Sequence, residues 1–232
     1  MLVAAAVCPC PPLLVPEVAA GAAPELEPLR AACAEAVEDL LGSGAELIVV
    51  VGTGEQAEVW TEGGAGSFRR YGVDLAVRLP SGGVEGPQLA PSLTLGAWLL
   101  TQAEAKLPTH ACAVPADAAP ARMLGLGRGL AELADRVGLL VMGDGSACRS
   151  VKAPGYLDER AEGYDADAAR ALETADTEAL AALDPVLAAE LLADGRAPWQ
   201  VLAGAAQGTG LGAKLHYAQA PYGVGYFVAS WR

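Results

Sequence analysis

The side chains with the most chemical capacity stand at the ends of apolar runs. Cys8 and Cys10 close residues 2–7 in the stretch Val7-Cys8-Pro9-Cys10-Pro11-Pro12. Thr53 and Glu55 follow residues 46–51 in Gly52-Thr53-Gly54-Glu55. Ser146 and Cys148 follow residues 138–142 in Gly143-Asp144-Gly145-Ser146-Ala147-Cys148-Arg149. Near the C-terminus, His216 and Tyr222 add an imidazole and a phenol. Thiolate, carboxylate and imidazole are metal ligands, and a thiol is also a nucleophile or a redox group. A set of two thiols with a carboxylate is soft and suits Zn or Cu(I) better than Fe(II).

These residues need elements to hold them. The apolar runs at 2–7, 46–51 and 138–142 are too short for helices and fit strands of a parallel sheet covered on both faces. Proline lacks an N–H and fixes φ, so the first strand ends in a stiff extended loop at Pro9, Pro11 and Pro12. Residues 22–42 repeat apolar side chains at helical spacing, with Cys33 on the apolar stripe as a core residue. Strand, helix, strand makes a βαβ unit. Further strands are expected at 74–79, 110–114, 213–218 and 223–231. Further helices are expected at 93–106, from an Asp117 cap to about 136, over 165–193 with a break near Asp184-Pro185, and at 198–206. Gly125, Gly127 and Gly129 read as sites of close helix–sheet approach, and Ser81-Gly82-Gly83 as a turn. His110 and Cys112 alternate onto one sheet face and read as core. The order predicts one three-layer α/β/α domain over residues 1–232, with a mostly parallel central sheet. Ligands of such sheets bind beyond the strands' C-terminal ends, where the three chemical loops fall.

Composition narrows the partners. Twenty-eight acidic residues against 15 basic ones leave a formal charge of −13, which disfavours nucleic acid and anionic membrane surfaces. Five cysteines, an odd number without framework spacing, predict free thiols in a reducing compartment. No run reaches the ~18–20 apolar residues of a membrane span, so a soluble cytoplasmic protein is expected.

Four places in the chain carry a resemblance to a known family. They are the strand running into Pro9–Pro12, the strand ending Val49-Val50-Val51-Gly52-Thr53, the loop 143–149, and Tyr222-Gly223-Val224-Gly225-Tyr226. Together they resemble the class III extradiol ring-cleavage dioxygenase catalytic-subunit superfamily, the LigB-like fold that also includes the Memo proteins. The resemblance implies an Fe(II) held by two histidines and a carboxylate, with a further histidine as acid/base during ring opening by O₂. Carried over by residue, the first ligand falls on Cys10, the second at or beside Glu55, and the acid/base on Cys148. His216 is the remaining imidazole for a metal set of Cys10, Glu55 and His216. Cys8, Pro11, Thr53, Ser146 and Tyr222 would line the pocket.

Three readings follow. The first is an extradiol dioxygenase-like protein with a degenerate iron site, which binds a small molecule and is not an oxygenase. The second is a metal-dependent enzyme using Zn or Fe with altered Cys, Glu and His ligands. The third is thiol chemistry at Cys148 or between Cys8 and Cys10. A homodimer is compatible with exposed Ala/Leu helices.

Overall fold

The computed structural model describes residues 1–61, 63–80 and 88–232; the turn expected at 81–83 lies outside the described residues. In chain order the strands are β1 (Leu2–Cys8), β2 (Leu47–Thr53), β3 (Glu58–Trp60), β4 (Ala65–Ser67), β5 (Ala76–Arg78), β6 (Thr109–Val114), β7 (Val137–Met142), β8 (Ala213–Gln219) and β9 (Tyr226–Trp231). The helices are α1 (Pro16–Ala19), α2 (Glu27–Leu41), α3 (Pro91–Gln102), α4 (Pro120–Ala131), α5 (Arg160–Thr174), α6 (Thr177–Ala181), α7 (Pro185–Glu190) and α8 (Arg196–Ala206).

Seven strands form one sheet in the order β3-β6-β2-β7-β1-β9-β8. Its centre, β6-β2-β7-β1, is parallel, whereas β3, β9 and β8 join antiparallel. Alternation along each strand sends side chains into two separate cores. Val7, Val49, Val51, Leu139 and Val141 face a layer built from α4, α5 and α8. Ala6, Ile48, Val50, Leu140 and Met142 face α2 and α3. Each fully buried aliphatic side chain is worth roughly 1.5–3 kcal/mol. A slip of one residue would exchange the two faces, so register is tightly held. The α/β class and the parallel centre follow the sequence reading. No helix among the described residues is long and apolar enough to cross a membrane.

Several elements depart from expectation for identifiable reasons. The strand at 76–78 lies outside the main sheet and pairs with β4 in a small second sheet. The helix expected from residue 22 begins as a 3₁₀ segment, Ala20–Leu26, because Pro24 and Pro28 delay the α-helix. Asp117 caps nothing, since Pro120 sets the first turn of α4 behind Ala119. The stretch 165–193 is three helices rather than two. Ala175 adopts a left-handed turn, Asp176 caps α6 and Asp184 caps α7 through their carboxylates. Gly127 serves helix–helix packing instead of helix–sheet packing: a Cβ there would lie 1.9 Å from the Val201 carbonyl of α8.

Candidate functional site

The connections leaving β2 and β7, neighbours in the sheet, go to opposite faces. The chain after β2 reaches α3, and the chain after β7 reaches α5 and α8. That divergence opens a crevice beyond the strands' C-terminal ends, the place where α/β sheets hold ligands. A cleft of about 770 Å³ lies there. One bank carries Glu55 after β2, Glu58 and Trp60 on β3, and Arg70 with Tyr71. Leu89, Ala90, Ala113 and Ala116 supply apolar surface, and Asp194 stands on the other bank. The Ser92 hydroxyl donates to the Thr53 carbonyl at 2.7 Å, tying the start of α3 to the end of β2. The Arg70 guanidinium lies 5.8 Å from the centre of the Tyr71 ring. The Trp60 indole N–H is buried without an acceptor among the described residues.

Beside the cleft, the ends of β1, β7 and α8 meet. Gly143 and Gly195 touch so closely that a Cβ on Gly143 would sit 2.4 Å from the Gly195 Cα. The Gly195 N–H donates to the Asp144 carbonyl at 2.7 Å. The Cys10 N–H donates to Asp144 Oδ1 at 2.6 Å. Burial raises the Asp144 carboxyl to about 7 against that hydrogen bond, with the Asp194 carboxylate adding to the rise. Burial also raises Asp194. Near neutral pH the Asp144 carboxyl can therefore keep its proton. The Cys10 thiol is pushed well up by burial and then by Asp144 and Asp194, so it stays protonated near neutral pH.

The residues nominated from sequence separate into different places. Thr53 and Glu55 line the cleft. Cys10 packs against the α2–α3 core, whereas Cys148 lies in the core on the other face of the sheet. Cys148 is 2% exposed, its Sγ–H donates to the Leu191 carbonyl at 3.4 Å, and burial raises its thiol. It is placed as a structural thiol, not as an acid/base or nucleophile at the cleft. Cys8 is wholly buried, and its contact with the Cys33 thiol, followed by burial, pushes it up. All five cysteines are free. Ser146 is also enclosed: its N–H and hydroxyl donate to Asp165 at 2.7 and 2.8 Å. Pro11 is buried beneath the 3₁₀ turn that follows it, and the Tyr222 hydroxyl donates to Glu25 at 2.9 Å.

His216 is the largest displacement from expectation. It stands on the edge strand β8, four strand positions from β2, which at ~4.8 Å per strand is roughly 19 Å. There its Nε2 lies 2.8 Å from the Ser230 hydroxyl and its Nδ1 3.3 Å from Glu35. Of the pair on β6, Cys112 is core as expected and burial raises its thiol to about 12, whereas His110 is only half-buried and stands outside the core. Among the described residues, no group of three or more His, Cys, Asp or Glu side chains is placed to share a metal ion. Cys10, Glu55 and His216 do not converge, so the donor set implied by the resemblance does not fit an iron or zinc ion. Asp194 was missed by sequence reading. Its signal is faint: an acid before Gly195-Arg196 at a helix start.

No protein-family model matches the chain, and no curated protein matches it. Among solved structures, it is similar to the uncharacterized protein JW3007 from Escherichia coli K12, with 13% identity, a TM-score of 0.55 and 99% of each chain covered. A likeness at that identity shows the fold, and the fold is shared over the full length of both chains.

Proposed function

We propose that this chain is a non-oxygenase ligand-binding protein on an extradiol dioxygenase-like α/β fold, with the strand-end cleft as its binding site. One observation carries the reading. The cleft is roomy and lies at the topological switch point, and its Glu55, Glu58 and Asp194 carboxylates bond to no described residue. The positions matching the family's iron ligands and acid/base are instead dispersed over both faces and one edge of the sheet. Cys10 and Cys148 have become packing, and the crevice beside them, with Glu55 on its bank, has stayed open. The ligand is a small molecule, since an acidic chain with an acidic cleft repels nucleic acid and anionic membranes. A cytoplasmic location and a homodimer belong to the same proposal.

The test combines two measurements on the intact chain. Supplied with Fe(II) and catechol, the protein is expected to consume no oxygen. In ligand-observed NMR, small polar fragments are expected to bind, and Ala116→Trp, which fills the cleft from an exposed position, is expected to abolish that binding. Catechol-dependent oxygen uptake, or fragment binding indifferent to Ala116→Trp, would overturn the reading.

A further inference from the structure

Nine large apolar side chains are exposed among the described residues, and four of them belong to one loop and the turn packed on it. Val151, Tyr156 and Leu157 on the loop after β7, and Leu192 just after α7, are each about half exposed or more. Leu192 lies against that loop: a Cβ on Gly155 would sit 3.0 Å from its Cδ1. The loop itself is pinned to the body. Gly155 donates its N–H to the Ala147 carbonyl at 2.9 Å, and Asp158 donates to the Cys148 carbonyl at 3.0 Å. Tyr156 and Leu192 stand at φ 63° and 55°, left-handed backbone that bulky side chains rarely adopt. The fold holds these side chains outward on a fixed frame, against a local backbone cost.

The size and the charge of the patch decide what can cover it. With Pro154, also exposed, the four side chains present on the order of 400 Å² of apolar surface, a size at which such patches are often functional. That is about half of the ~800 Å² that one partner gives to a standard interface, and the polar rim supplies the rest. The rim carries both signs. Lys152 and Glu159 are exposed on either side of residues 154–157, and neither makes an ion pair among the described residues. The neighbouring cations are already engaged, Arg149 by Asp165 and Arg160 by Asp158 and Glu190. Residues 149–160 hold three basic and two acidic side chains, in a chain whose formal charge is −13. Two copies repel each other over most of their surface but not at this segment.

We propose that residues 151–157 and Leu192 form the face through which two copies of this chain pair about a two-fold axis, with Lys152 of each facing Glu159 of the partner subunit. Apolar surface then meets apolar surface and each free charge meets its opposite, the self-complementarity that an isologous pair requires. A wholly acidic or wholly basic partner would leave one of the two rim charges opposed, whereas a second copy answers both. This rests on the homodimer of the reading above, names its surface, and is independent of the ligand.

Analytical ultracentrifugation of the full chain, from about 1 to about 100 μM at about 0.15 M salt, tests it. The parent protein is expected to sediment as a dimer at the upper end of that range. Tyr156→Asp and Leu192→Asn are each expected to weaken pairing about tenfold or more. Asp and Asn accept left-handed backbone better than Tyr and Leu, so both variants are expected to keep the parent's circular dichroism. Lys152→Glu is expected to weaken pairing about fivefold, and adding Glu159→Lys to restore it. Leu133→Asp, at an exposed apolar position beyond α4, is expected to change nothing and so controls for general hydrophobic association. A parent that stays monomeric to about 100 μM would overturn the proposal together with the homodimer, return the patch to a partner of another kind, and leave the ligand reading standing. A dimer that survives Tyr156→Asp and Leu192→Asn, or that Leu133→Asp weakens equally, would keep the homodimer and overturn this face. A charge swap that fails to restore pairing would overturn the two-fold contact of Lys152 with Glu159.

Discussion

Two acidic groupings lie near the strand-end edge of the same sheet, and they are built in opposite ways. Asp165, 1% exposed, receives the Ser146 N–H and hydroxyl at 2.7 and 2.8 Å and Arg149 at 3.1 Å. Gly145 and Gly225 press so close that a Cβ on either would lie 2.7 or 2.5 Å from its carboxylate. Across the sheet, Glu55, Glu58 and Asp194 face a cavity and receive nothing from the described residues. Identical chemistry is consumed by the fold in the first place and left available in the second. A carboxylate in a strand-end loop is therefore informative only once its donors are counted. The comparison can be broken by substitutions whose effects should fall in a definite order.

The largest effect is expected at Asp165. Truncation to Ala would leave a buried N–H, a hydroxyl and a half-buried guanidinium without their acceptor, at a cost of about 4 kcal/mol in urea denaturation. Asp165→Asn keeps acceptor oxygen and should lose less. A harmless Asp165→Ala would remove the distinction between the two groupings.

Asp144 comes next, and its effect depends on pH. Its carboxyl is raised from 3.8 to about 7 by burial, so the charged form is penalised in the folded state alone. The stability it allows is full below about pH 4 and is lost as pH rises through about 7. Asp144→Asn retains an acceptor for the Cys10 N–H and removes the charge. Relative to the parent protein, the variant should gain on the order of 3 kcal/mol between pH 4 and pH 8. A difference that stays flat over that range would show Asp144 to be well solvated.

His216 should follow at about 2 kcal/mol for His216→Ala, since a side chain 1% exposed links Ser230 to Glu35 while Ser230 donates to Asp39 at 2.9 Å. Added Zn(II) is expected to stabilise parent and variant equally in thermal unfolding. A zinc-dependent rise confined to the parent would return His216 to the ligands.

The parts of this molecule that were legible in the sequence share one property. β1, β2 and β7 are buried on both faces, so their apolar runs are unbroken, and α2 has one buried stripe of 3.6-residue period. β3 escaped because Glu58 and Val59 are exposed and, among the described residues, its one neighbour is β6. The break before α6 escaped because Ala175 takes φ 51°, a left-handed turn with no Gly or Pro to announce it. At the site, Thr53 and Glu55 were readable as strand-end residues. Asp194 was not, because its position depends on Gly195 packing against Gly143, 52 residues earlier in the chain. Strand order was equally silent. Residues 213–219 had no local mark of an edge strand, so His216 was expected at the cleft and stands across the sheet from it.

The smallest effect on stability is expected at the cleft itself, and that smallness is diagnostic. Glu55 and Glu58 are exposed and unpartnered among the described residues, so Glu55→Gln and Glu58→Gln should each shift unfolding by no more than about 0.5 kcal/mol. A residue whose side chain the fold does not use can be removed without a structural penalty, so any loss of ligand affinity in these variants reports on binding alone. The same substitution at Asp165 would disturb both quantities together. If Glu58→Gln destabilised the chain as strongly as Asp165→Ala, its carboxylate would be holding β3 to the sheet, and the open cleft would be a second structural cluster rather than a place kept for a ligand.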